Sequence, residues 1–111
     1  MAVLKNKEEN WDEIKDGVFR KIVYLDHIMT VMIEFRNGHW SQPEPYHSHP
    51  HEQTCYIAKG EIVLYCEGEP DQHLTEGDMF YIPSGIKHTI RVDSPIVRLI
   101  DSFTPIREDF L

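Results

Sequence analysis

Apolar and polar residues alternate along most of this chain with a period of two, the signature of half-buried strands. Val18–Leu25 is apolar and β-rich after the turn Asp16-Gly17. In Thr30–Arg36, Val31, Ile33 and Phe35 share one face, and the run stops at Asn37-Gly38. Thr54–Ala58 and Glu61–Cys66 are expected to pair as a hairpin about Lys59-Gly60, with Ile62, Leu64 and Cys66 on one face. The turn Glu67-Gly68-Glu69-Pro70 precedes Gln72–Leu74, Met79–Ile82, His88–Val92 and Ile96–Phe103, each a further strand. Turn signals recur at roughly 8–12 residues, which predicts an all-β sandwich or barrel. There is no internal repeat and no low-complexity segment.

The amino-terminal stretch breaks the pattern. Asn10-Trp11-Asp12-Glu13 has the spacing of a capping box, yet it is too short for a marginal helix to hold alone. Residues 1–16 are therefore read as an extended arm whose Trp11 packs on the barrel, and residues 17–111 as one β-barrel domain with a docked tail.

Length and charge narrow the function. A chain of 111 residues makes one domain, able to bury roughly 60–70% of its unfolded surface. The net charge of −8 and the scatter of Lys and Arg argue against nucleic acid and anionic membranes as partners. An acidic small molecule would need a local positive centre. Met1–Asn10 has no apolar core for a signal peptide, and no run is long enough to span a bilayer, so a cytoplasmic protein is expected. Cys55 and Cys66 make no disulfide scaffold; both are expected to point inward as small apolar groups.

The chemistry concentrates in His47-Ser48-His49, in Gln53, and in His88 at the end of Pro83-Ser84-Gly85-Ile86-Lys87-His88. On a strand, His47, His49 and Gln53 share parity and face. Three imidazoles and an amide oxygen are neutral ligands for a divalent transition metal. The plain alternative is a surface cluster of histidines. Neutral ligands leave the ion its full charge, which favours Lewis-acid work on an oxygen or carboxylate over oxygen-activating iron, commonly held by two His and a carboxylate. A closed structural site is disfavoured, since those are usually Cys-rich. His51 shares parity with His49, but Pro50 bends the strand, which places His51 behind the ligands or at the rim. Glu52, of opposite parity, faces outward.

Val97, Leu99, Asp101 and Phe103 also share a face. If that face is interior, Asp101 is a buried carboxylate and a candidate general acid/base. Equally, it pairs with Arg98 or Arg107 or sits at a solvated rim. Arg107 either reaches over the barrel mouth as a carboxylate clamp or is neutralised by Glu108 and Asp109. The apolar end, Phe110-Leu111, implies that the tail docks on something, a second subunit being one choice.

Two segments carry a resemblance. His47-Ser48-His49-Pro50-His51-Glu52-Gln53 through Gly60-Glu61 resembles the first cupin motif, and Gly77 through Pro83-Ser84-Gly85 to His88 the second. Ser41 stands where the family usually has glycine, Val92 where Asn is common, and Gln53 where Glu is usual. The ending Asp101-Ser102-Phe103-Thr104-Pro105-Ile106-Arg107-Glu108-Asp109-Phe110-Leu111 resembles a narrower group, the small pectin-degradation cupins that linearise 4,5-unsaturated monouronates from pectin and alginate lyases. The resemblance implies a jelly-roll cupin β-barrel. It implies a divalent metal (nickel, zinc, iron or manganese) on His47, His49, Gln53 and His88. It further implies Asp101 and Arg107 in catalysis, Phe103 and Arg107 against a small acidic sugar, and a homodimer. Glu67–Gln72 matches poorly, so substrate choice within the group stays open. Other metal-cupin chemistry, a dioxygenase or an isomerase on a small acid, and a non-catalytic uronate sensor are the competing readings.

Overall fold

A computed structural model describes residues 3–111, so Met1 and Ala2 of the expected arm lie outside the described residues. Nine strands are present among the described residues: β1 (Asp12–Lys15), β2 (Val18–Tyr24), β3 (Met29–Phe35), β4 (Glu52–Lys59), β5 (Ile62–Cys66), β6 (Gln72–Leu74), β7 (Met79–Ile82), β8 (His88–Val92) and β9 (Val97–Thr104). They form two antiparallel sheets, one of order β1-β2-β3-β9-β4-β7 and one of order β6-β5-β8. The sheets do not join into one hydrogen-bonded ring. Their facing residues make the core: Val18, Phe35, Cys55, Ile57, Val97 and Leu99 from the large sheet meet Ile62 and Val92 from the small one. The residues are mostly β-branched or aromatic, types that fit a pleated, half-buried surface.

The expected hairpin between Thr54–Ala58 and Glu61–Cys66 does not form. β4 pairs with β9 and β7, whereas β5 pairs with β8 and β6. The chain instead turns a corner from one sheet to the other at Gly60. Its φ is +84°, and a Cβ there would sit 2.3 Å from the carbonyl oxygen of Ile96. A corner and a hairpin both demand glycine, and the sequence does not separate them. One consequence concerns the thiols: Cys55 is buried, but Cys66 is only half-buried.

Within residues 1–16, Glu8–Asn10 forms a 3-10 turn and β1 pairs with β2 at the sheet edge. Trp11 is buried, with the Lys21 Nζ 4.5 Å and the Arg98 guanidinium 5.4 Å from its ring centre. Beneath it the buried Glu34 is neutralised twice, by Arg36 Nε at 3.0 Å and by Arg98 Nε at 2.7 Å. A carboxylate at that depth is tolerable only when paired in this way. Arg98 is thereby committed to Glu34, not to Asp101. No helix among the described residues is long and apolar enough to cross a membrane.

A second cluster of Met29, Val31 and Phe103 takes Ile106 and Phe110 of the tail. The tail therefore docks on its own chain near the site described below. Ile57→Ala, at a side chain with no exposure, should destabilise the protein by about 2–5 kcal/mol, measured by denaturant unfolding with an unchanged slope.

Candidate metal centre and its cavity

His47 and His88 are joined by a two-way backbone bridge. The His47 N–H donates to the His88 carbonyl at 3.0 Å, and the His88 N–H to the His47 carbonyl at 2.9 Å. Two residues on, the Gly85 N–H donates to the His49 carbonyl at 2.9 Å. The segment His47–His49 thus runs beside the approach to β8, and β4 begins only at Glu52. His47 and His49 therefore do not share a strand with Gln53, contrary to the expectation from strand parity. Pro50 lacks an N–H and interrupts the ladder, and the bridge does the aiming instead.

One ring nitrogen from each of His47, His49 and His88 lies within 4.8 Å of the other two. The carbonyl of His51 faces His49 Nδ1 at 3.2 Å, and that of Ile86 faces His88 Nδ1 at 2.9 Å. A carbonyl accepts only, so each Nδ1 carries the proton and each Nε2 is left with a free lone pair. His49 Nε2 is buried and has no hydrogen-bond partner. An unfilled polar atom at that depth is costly, and a cation would fill it. The donor set fits a divalent transition metal on this ground.

Gln53, Asp101, Phe103 and Arg107 line the same cavity of about 230 Å³ as His47 and His88. Gln53 Nε2 donates to Asp101 Oδ1 at 3.0 Å, which leaves the Gln53 carbonyl oxygen free for another partner. Asp101 is buried, in line with Val97, Leu99 and Phe103 on β9. Burial pushes its carboxyl up from the ordinary range, while contacts with Cys55 and Gln53 and the Arg107 charge pull it partly back. The cross-strand partner of Asp101 is Cys55, whose buried thiol is pushed far up and stays protonated.

Arg107 lies at the cavity and pairs with one of its two acidic neighbours, Asp109, through Nη2 at 2.9 Å. Its guanidinium lies 3.9 Å from the centre of the Phe110 ring. The cavity lining also holds residues not singled out from the sequence as site residues, among them Lys15 and Glu44, which pair at 2.9 Å, and Phe110. Nothing in their local patterns marks Lys15 and Glu44; the apolar chain end was the signal for Phe110.

His51 is buried rather than at the rim. Burial, then the charges of His49 and Arg107, pull its pKa down to about 4, with Asp109 opposing. Burial is also the first cause that holds His49 and His88 below their usual range. A histidine with a folded pKa below its unfolded one binds fewer protons when folded. Its contribution to stability is therefore intact above about pH 6.5 and is lost as pH falls from there through the folded value. Asp101, shifted upward, works in the opposite sense, one group against three. In chelator, the thermal midpoint should fall between about pH 6.5 and pH 4, and His51→Phe should flatten that slope in a calorimetric pH series.

Residues 31–102 match the cupin domain family. The pectin degradation protein KdgF of Dickeya dadantii (strain 3937) is 35% identical over 106 residues, covering 94% of this chain and 93% of that protein. The solved structure of KdgF from Halomonas sp. superposes with a TM-score of 0.86 at 30% identity, covering 99% of this chain and 100% of that one. An RmlC-like cupin from Shewanella frigidimarina NCIMB 400 gives a TM-score of 0.81, also at 30% identity, over 99% of this chain and 97% of that one. With two facing antiparallel sheets and a three-histidine cluster between their strands, this chain belongs to the cupin family and, within it, to the pectin-degradation cupins.

Proposed function

We propose that this protein converts 4,5-unsaturated monouronates, the products of pectin and alginate lyases, to linear ketonised sugars in a metal-dependent reaction. The observation that carries the reading is a buried carboxyl, Asp101, that accepts a hydrogen bond from Gln53 and lines one cavity with His47 and His88. His47, His49 and His88, with the Gln53 carbonyl oxygen as fourth ligand, would hold the ion. A divalent metal bound there supplies Lewis acidity toward a sugar or carboxylate oxygen.

The remaining work falls to the chain. Opening the ring breaks the bond between C1 and the ring oxygen as the proton leaves the C1 hydroxyl. The ring oxygen becomes the enol oxygen at C5, and a proton added at C4 gives the ketone. Protons lost and gained balance, so no redox cofactor is required. One group that takes a proton and returns it is sufficient, and Asp101, with its carboxyl shifted upward by burial, is suited to both halves. Arg107 binds the sugar carboxylate through its planar fork, and Phe103 packs on the sugar face. Asp109, which now holds Arg107, keeps the guanidinium in place for an incoming carboxylate. A homodimer in the cytoplasm completes the reading; sedimentation of the purified protein tests the assembly.

Purified protein should accelerate the loss of ultraviolet absorbance of a lyase-generated unsaturated monouronate above the spontaneous rate; no acceleration sinks the assignment for that substrate. Asp101→Asn should lower kcat by roughly 10²–10⁴-fold with metal content unchanged. An unaltered rate removes Asp101 from the chemistry. Arg107→Ala should act chiefly on KM, raising it about tenfold or more, as expected when a charge-assisted substrate contact is lost.

A further inference from the structure

His51 is the buried histidine that the proposed reaction does not use. It is 6% exposed, and its Nε2 has no hydrogen-bond partner. The ring stacks on that of His49, with centres 3.6 Å apart and planes 15° from parallel. Its other contact is Phe103, edge to face at 4.9 Å and 88°. Phe103 in turn meets Phe110 edge to face at 5.9 Å, and Arg107 lies over Phe110. A continuous run of flat groups, His49-His51-Phe103-Phe110, therefore links the first histidine segment to the carboxy-terminal tail. Pro50 stands between His49 and His51 and stiffens the backbone that sets the two rings face to face.

We infer that His51 is a positioning residue: its ring is a flat plate that fixes the His49 imidazole for metal binding and meets Phe103 at its edge. This rests on the metal-centre reading above and adds a residue to it. The His51 carbonyl already fixes one end of the His49 ring by its contact with Nδ1. That contact alone leaves the ring free to swing about the hydrogen bond. A second flat ring 3.6 Å away removes the swing by filling the space on that face of the imidazole at van der Waals distance. Groups behind a ligand commonly change metal affinity by roughly 10–100-fold when removed. The plate acts through shape and not through its nitrogen, so a phenyl ring should replace it.

The test is cobalt(II) titration of metal-free protein, followed by the visible absorption of the bound ion, with circular dichroism as the check of fold. His51→Ala should weaken cobalt binding roughly tenfold and alter the band shape. His51→Phe, which keeps a flat ring, should bind within about threefold of the wild type. If His51→Ala does not fold, His51→Leu, which fills the space without a flat face, takes its place and should weaken binding alike. Alanine or leucine variants that bind as tightly as the wild type overturn the inference. A phenylalanine variant as weak as the alanine one also overturns it, because the nitrogen and not the plate would then matter. Failure of the metal-centre reading shows separately, as no binding by the wild type itself, and removes this inference with it.

Discussion

The two hydrogen bonds between the main chains of His47 and His88 are the constraint on which the site depends. They join segments from distant parts of the sequence in a single antiparallel bridge. Without them the His47–His49 segment would be a loop entering β4, free to take many conformations at an entropic cost to any ion binding. With them, the ring centres of His47 and His88 lie 4.4 Å apart, before any ion contributes. The sheets supply the fixed frame: His88 opens β8 in the small sheet, and β4 carries Gln53 in the large one. The bridge holds His47 beside β8 of the small sheet, and just after His49 the chain enters β4 of the large one, so the site sits where the two sheets meet.

Electrostatics then shape what the cavity accepts. The chain carries a net charge of −8, yet the cluster is made of imidazoles, and burial holds two of them, His49 and His88, below their usual range. A divalent ion among them would be a concentrated positive centre inside an acidic protein, and charge at such a centre dominates its surroundings. Arg107 adds a second cation at the same cavity. Its partner Asp109 is mostly exposed, with its side chain 64% accessible, so solvent screens that pair, and the carboxylate of the proposed substrate would compete with it for the guanidinium. The buried Glu34, by contrast, lies on the far face of β3 and is fully consumed by Arg36 and Arg98. Arg107 thus stands at the cavity, whereas Arg36 and Arg98 are held at Glu34.

The sequence made the strands legible because alternation needs only local information. Val31 and Phe35, or Val97, Leu99 and Phe103, are buried in the register their parity implies. It made the inward face of Asp101 legible for the same reason, once Val97 and Leu99 were placed inside. Pairing between strands was not legible. Gly60 reads identically at a hairpin and at a corner, and the difference rests on contacts with Ser94 and Ile96 more than thirty residues away. The neighbours of Asp101 were hidden too: that Cys55 lies across from it and Arg98 is turned to Glu34 follows from the β4–β9 and β3–β9 registers. The histidines illustrate a third case. Their convergence was anticipated from strand parity, but it is achieved by a bridge around Pro50, which alternation cannot describe.

Gln53 draws these strands of reasoning together. The common cupin pattern has a carboxylate at this position, and here it is an amide. Its nitrogen lies 3.0 Å from an oxygen of Asp101. A glutamate in the same place would set two carboxylates against each other in a buried site, and one of them would be forced to hold a proton. That would leave either the metal without its anionic ligand or Asp101 unable to accept a proton. An amide has a donor end and an acceptor end. It can give its N–H to Asp101 and still present its oxygen to the ion, so a single side chain serves both partners without charge conflict. In the proposed centre the amide would also leave the ion's charge undiminished, which suits the polarisation of a substrate oxygen. A departure at one ligand position is thus the physical counterpart of a carboxyl group on the neighbouring strand.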